Sequence, residues 1–169
     1  MFDQYLDRHP QYQAYLGIKK DYDRCDDISP AAETVELKKA KASLQWLEDS
    51  VDTKLLDDQT LLSFRLYKKK LEDQIDGHRY RLYNYPVNQM NGKQSGLPAF
   101  LINMHKITSK KDALDYIARL NGIRTLFDQL IKNIKERESA GIIAPKYIFD
   151  HVLNLSLIHI SEPTRRTPI

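Results

Sequence analysis

The sequence predicts an all-α fold, an irregular array of about seven helices that belongs to a larger, incomplete domain. Apolar side chains recur at three- and four-residue spacing through most of the chain. Capping serines stand where those patterns begin, and no alternating apolar–polar stretch occurs before residue 154. Hydrophobic residues at 41% with charged residues at 29% describe a globular composition, which excludes a disordered chain.

Phe2, Tyr5 and Leu6, then Tyr12, Tyr15 and Leu16, fit an amphipathic helix over 2–17 that Pro10 interrupts and Gly17 caps. Residues 18–28 carry Asp21, Asp23, Asp26 and Asp27 and are expected to form a solvated acidic loop. Ser29-Pro30 sets a capping hydroxyl before a proline at the first helical position, where no N–H is needed. The helix it opens should run to Asp49 with Leu37, Ala40, Leu44 and Leu47 inward. A third helix is expected from Asp57 to Tyr80, its two leading aspartates suited to the positive end of the helix dipole. Leu61, Phe64, Leu71 and Ile75 make its stripe, widened by Leu62 and Leu66, and Gly77 lies near its end.

Between Tyr80 and Met104, Pro86, Gly92, Gly96 and Pro98 break the backbone while Tyr83, Tyr85, Val87, Met90, Leu97, Phe100 and Leu101 supply apolar surface. This combination predicts an ordered, partly buried loop near 80–98 and a short helix over Ala99–Met104. Ser109-Lys110-Lys111-Asp112 is a capping-box variant, followed by Leu114, Ile117, Ala118 and Leu120 as an apolar face. Asn121-Gly122 predicts a break. A sixth helix then covers Ile123–Ala140, with Leu126, Phe127, Leu130, Ile131 and Ile134, and ends at Gly141. Ala144-Pro145 opens the seventh, with Tyr147, Ile148, Val152 and Leu153 on its apolar side.

Most chemistry with a sequence signature is excluded. His9, His78, His105, His151 and His159 include no pair at the spacing of a helical metal site, and none is followed by Glu. No P-loop, dinucleotide fingerprint or nucleophile elbow occurs. The aspartates of 18–28 lack the central glycine and terminal glutamate of a calcium loop. Cys25 is the single cysteine, so neither an intrachain disulfide nor a multi-cysteine metal site exists. Lys68-Lys69-Lys70 faces Glu72 and Asp73 at helical spacing, and with a net charge of +3 a nucleic-acid partner is not expected. No apolar stretch is long enough to span a membrane, and the start shows no signal-peptide pattern.

The chain divides into an N-terminal helical part of a larger domain, 1–154, and a tail, 155–169. The run from Leu155-Ser156-Leu157-Ile158-His159 to Arg165 resembles the in-frame translation of a transposase-type sequencing adapter, codon for codon. Leu155–Ile169 is therefore expected to be non-native and is set aside from fold reasoning, together with His159 and the sequon at Asn154. Helix seven would then be cut in mid-pattern, leaving the C-terminal part of its own fold as the missing partner.

Tyr85-Pro86-Val87-Asn88-Gln89-Met90-Asn91-Gly92, followed by Leu97-Pro98, is the most distinctive stretch. It resembles the P-[VI]-[ND]-Q-x-x-G…LP element of a bacterial family, domain of unknown function 885. The segments Pro10 to Gly17, Asp27 to Pro30, and Gly141-Ile142 with Pro145 fit the same layout. The resemblance implies a large, mainly helical protein, often exported or lipid-anchored, similar to a zinc-dependent peptidase that acts on a peptide substrate. There the glutamate of an H-E-x-x-P-G-H element activates a metal-bound water. No position here matches that element, so the chain itself is expected to hold no cofactor and show no catalysis. Asn88, Gln89, Gly92, Leu97 and Pro98 are candidates to line the parent's substrate cleft. The competing reading is a non-catalytic helical module that recruits a protein partner.

Overall fold

The structure, a computed structural model, describes the backbone of residues 2–161 and the side chains of residues 2–154. Seven α-helices and no strand occur among the described residues: α1 Phe2–Leu6, α2 Pro10–Tyr15, α3 Pro30–Ser50, α4 Asp58–Gly77, α5 Lys93–Asn103, α6 Lys110–Ser139 and α7 Lys146–Ser161. Short 3-10 turns at Thr53–Leu55 and His78–Tyr83 flank α4. The expectation about Leu155–Ile169 falls on side chains outside the described residues, although the backbone of α7 continues past Asn154.

The helix boundaries follow the caps. The Ser29 hydroxyl accepts from Ala32 N, Asp57 from Thr60 N, and Ser109 from Asp112 N. Each satisfies one N–H that a helix start leaves without an intrahelical acceptor. Gly17 and Gly141 take φ of 77° and 74°. Beyond them Ile18 N donates to Gln13 O and Ile142 N to Arg137 O, the Schellman closure that needs this left-handed residue.

α3 and α4 form a hairpin whose seam buries Ala40, Leu47 and Leu71, with Leu44, Val51, Phe64, Tyr67 and Ile75 packed around them. Of the expected stripes, Ala40, Leu44 and Leu47 meet Phe64, Leu71 and Ile75 there; Leu37 and Leu61 lie outside this cluster, and Leu62 and Leu66 point to solvent at 50% and 63% exposure. A second core joins Ala14, Tyr22, Phe100 and Leu101 to Met104, Tyr116 and Ile123. It corrects the reading of 18–28 as merely solvated, because Tyr22 from that loop lies in the core.

Two further expectations are overturned. α5 starts at Lys93, so Leu97 and Pro98 are helical and not part of a loop. The burial of Leu97, Phe100 and Leu101 on one face offsets the hydrogen bond that Pro98 cannot donate. Asn121-Gly122 does not break α6, which runs unbroken for 30 residues, about 45 Å. Gly122 lies under Cys25, whose sulfur would be 3.7 Å from a Cβ there. Packing of the 18–28 segment on this turn offsets the roughly 1 kcal/mol that a mid-helix glycine costs.

The first half of α6 turns the opposite way to the one its apolar spacing suggests, while Leu126 and Leu130 in the second half are buried as expected. Leu114, Ile117 and Leu120 are 58%, 54% and 45% exposed. The buried face carries Asp112, Arg119, Leu126, Leu130, Asn133 and Arg137. A polar face turned inward is sustainable only where its groups find partners, and here they do.

Candidate functional site

Arg119 is fully buried, with no accessible surface. Its Nε donates to Arg24 O at 2.8 Å and its Nη2 to Pro10 O at 3.1 Å. Nη1 donates to His105 Nδ1 at 2.9 Å. The guanidinium lies over the Tyr22 and Phe100 rings, 4.9 and 5.0 Å from their centroids. Burial pulls its pKa below the usual value, yet an arginine remains protonated in a protein. A cation is thus solvated by carbonyls and π faces with no carboxylate in contact.

His105 stacks on Tyr22 at 4.0 Å, and its Nε2 reaches Asp112 O at 3.0 Å. The Asp112 carboxylate accepts from Lys19 Nζ, Thr108 N and Thr108 Oγ1 at 2.8 to 2.9 Å. The Lys19 contact, then the two from Thr108, hold its pKa far below the usual carboxylate range. The capping box of the sequence is therefore half formed: Ser109 caps α6, while the aspartate reaches Thr108 and Lys19.

Five turns further along α6, Arg137 plays the equivalent part. It donates to Asn133 O at 2.9 Å, Arg81 O at 3.0 Å, Asn84 O at 3.2 Å and Asn84 Oδ1 at 2.6 Å, pinning the chain that leaves α4. Asn133 and Gln129 bind the other side, donating to Ile28 O at 2.7 Å and Asp27 Oδ1 at 2.9 Å.

Beside Arg137 lies a cleft of about 640 Å³, lined from the α1–α2 corner, α3, the end of α4 and α6. Its charges are largely paired. Arg8 binds Glu36, whose pKa is lowered chiefly by that hydrogen bond, and Arg81 lies between Glu33 and Glu136. Cys25 opens onto the cleft, but burial pushes its thiol up, which makes it a poor nucleophile. Gln74, His78 and Asn84 add hydrogen-bonding groups, and Ile28, Val35, Leu37 and Leu130 add apolar surface.

Of the stretch singled out in the sequence, Pro86 and Lys93 line this cleft, whereas Asn88, Gln89, Gly92, Leu97 and Pro98 are not among its lining residues. Asn88 organises a turn: its Oδ1 accepts from Met90 N and Asn91 N at 2.9 and 2.8 Å, and its Nδ2 donates to Tyr85 O at 2.8 Å. Gly92 is buried against that turn, Gln89 is half-buried, Leu97 is in the core and Pro98 is exposed. A Cβ at Gly92 would sit 2.6 Å from both Asn88 N and Asn88 O. Gly92→Ala is therefore expected to cost about 1–3 kcal/mol through overpacking against backbone, read as a lower urea midpoint with unchanged m.

Zinc does not fit the residues whose side chains are described. Among the described residues no group of three or more His, Cys, Asp or Glu is placed to hold a metal ion. His9 comes nearest, but Asp26 faces its Nδ1 at 3.8 Å and Glu36 its Nε2 at 4.0 Å, on opposite edges of the ring. His105 is committed on both nitrogens. Nor is any helix among the described residues long and apolar enough to cross a membrane.

The polar face of α6 is what sequence reasoning missed. Its one signal was the seven-residue spacing of Asp112, Arg119, Leu126 and Asn133, which places them on one side of a helix. Compared with known proteins, no curated protein and no solved structure matches the chain. A family model described as bacterial protein of unknown function (DUF885) matches residues 10–166, a span that crosses the Asn154/Leu155 junction. With nearly the whole chain covered, including the Asn88 turn, the Arg119 cluster and the cleft, the protein belongs to the DUF885 family.

Proposed function

We propose that this chain is the N-terminal helical part of a zinc-dependent peptidase-like protein, contributing one wall of its peptide cleft while the metal element lies on residues absent here. The observation that carries the reading is an uncovered apolar row on α6, with further exposed apolar side chains on α7. Leu114, Ile117, Leu120 and Ile131 on α6, with Tyr147, Phe149 and Leu153 on α7, are all at least 45% exposed. So much exposed apolar surface on two helices marks surface that another body covers. In this reading the Asn88–Gly92 turn and the Leu97-Pro98 step border the cleft, and Leu155–Ile169 is foreign sequence that displaces the next part of the fold.

The test compares the full chain with the protein encoded when the source DNA is read past codon 154. The chain should show neither stoichiometric zinc uptake nor hydrolysis of an unlabelled protein substrate. The longer protein should show both, with chelation abolishing hydrolysis. Stoichiometric zinc on this chain, lost in His78→Ala or His105→Ala, would overturn the proposal. A longer reading frame that lacks an H-E element would favour the alternative, a helical module that recruits a protein through the same apolar row.

A further inference from the structure

We propose that His105 is an acid-released latch holding the 104–109 segment against α6 and the 18–28 segment. This inference is independent of the peptidase reading.

Both ring nitrogens face partners whose roles are fixed. Arg119 can only donate, so Nδ1 must accept at 2.9 Å. The Asp112 carbonyl can only accept, so Nε2 must carry the proton at 3.0 Å. Only the neutral Nε2–H tautomer satisfies both. A second proton has one place to go, Nδ1, and there it would confront a guanidinium N–H. Protonation therefore requires the Arg119–His105 bond to open.

The surroundings give an imidazolium no refuge. From α6 the ring meets Arg119, Asp112 and Asp115, and from the 18–28 side it meets Tyr22, with Lys19 5.4 Å above the Tyr22 ring. The Asp112 carboxylate is taken by Lys19 and Thr108, and that of Asp115 by Lys111. Asp21 accepts from Gln13 and pairs with Arg24. Asp23, Asp26 and Cys25 bear on Arg119 and not on the imidazole. Tyr116 closes the remaining edge at 5.1 Å.

Burial first, and then the Arg119 charge, lowers the pKa of His105 against the pull of the Asp112 carbonyl. A histidine held low in the fold binds more protons when unfolded. Stability is then complete above the ordinary histidine range and drains as pH falls through that range toward the folded value. Two further contacts tie the same segment down: Tyr22 accepts from Lys106 N at 2.7 Å, and Thr108 donates to Asp112.

The experiment is hydrogen exchange of the full chain at about pH 7.5 and about pH 5, corrected for intrinsic rates, alongside His105→Gln. Glutamine can accept from Arg119 and donate to Asp112 O without titrating. Wild type should lose protection in residues 104–112 and 18–28 at the lower pH, while the α3–α4 hairpin keeps its own. H105Q should show no such pH-dependent loss. Should H105Q fail to fold, imidazole nitrogen shifts of the wild type decide the matter. The proposal requires an Nε2–H tautomer that titrates below the ordinary histidine value. An Nδ1–H tautomer, a titration at or above that value, or equal acid opening in H105Q would overturn it.

Discussion

Arg119→Ala is expected to remove about 3–5 kcal/mol of stability, a large share of what a domain of this size possesses. The substitution deletes a fully buried cation and strands the carbonyls of Arg24 and Pro10, along with His105 Nδ1. Each is left as a desolvated acceptor without a donor, and each such group costs about 1–3 kcal/mol. The Tyr22 and Phe100 rings also lose the guanidinium between them. Arg119→Met replaces the stem but not the donors, so it should recover only the packing share. Urea unfolding at neutral pH is the measurement, with Arg124→Ala on the exposed side of α6 as control, expected to shift stability by no more than about 0.5 kcal/mol. Equal effects at the two arginines would show that the buried cluster contributes nothing particular.

The second large effect separates two readings of the same helix. Leu126→Ala is expected to cost about 2–5 kcal/mol, because Leu126 is 2% exposed between Arg119 and Asn133 on the buried face. Leu120→Ala, at a position where periodicity alone places a core leucine, is expected to change stability by no more than about 0.5 kcal/mol. If Leu120 proved as costly as Leu126, α6 would have to be rotated from the orientation described. A pair of urea midpoints is enough to decide.

What could be read in the sequence and what could not divides along physical lines. Local signals translated faithfully: Ser29-Pro30 and Asp57 cap their helices, and Gly17 and Gly141 close theirs. Such signals depend on chain neighbours alone. The α3–α4 seam was legible because both helices bury leucines against each other. The buried Leu126 and Leu130 of α6 were legible too, but its polar buried face was not, because the partners of that face are backbone carbonyls and loop side chains about a hundred positions away, a relation that no helical period encodes. The same holds for Tyr22, whose burial rests on residues 100–123 and not on its polar neighbours. Asn121-Gly122 misled for the reverse reason, since tertiary packing outweighed a weak local preference. Of the candidate site, the distinctive 85–98 stretch contributes Pro86 and Lys93 to the cleft lining and none of the five residues named from the sequence, and the buried cluster at Arg119 and His105 was not anticipated.

The length of α6 and the distance of its partners also bear on how the chain is made. The α3–α4 hairpin joins segments close in sequence and can form as soon as residue 77 is out. Pro10, Arg24 and Ile28 must wait for Arg119 and Asn133, 109, 95 and 105 residues later. At translation rates of roughly 5–20 residues per second, that leaves Tyr22 and Ala14 uncovered for about 5–20 s. Over that interval the apolar side chains of the early segment stay open to water, and the arrival of α6 ends their exposure.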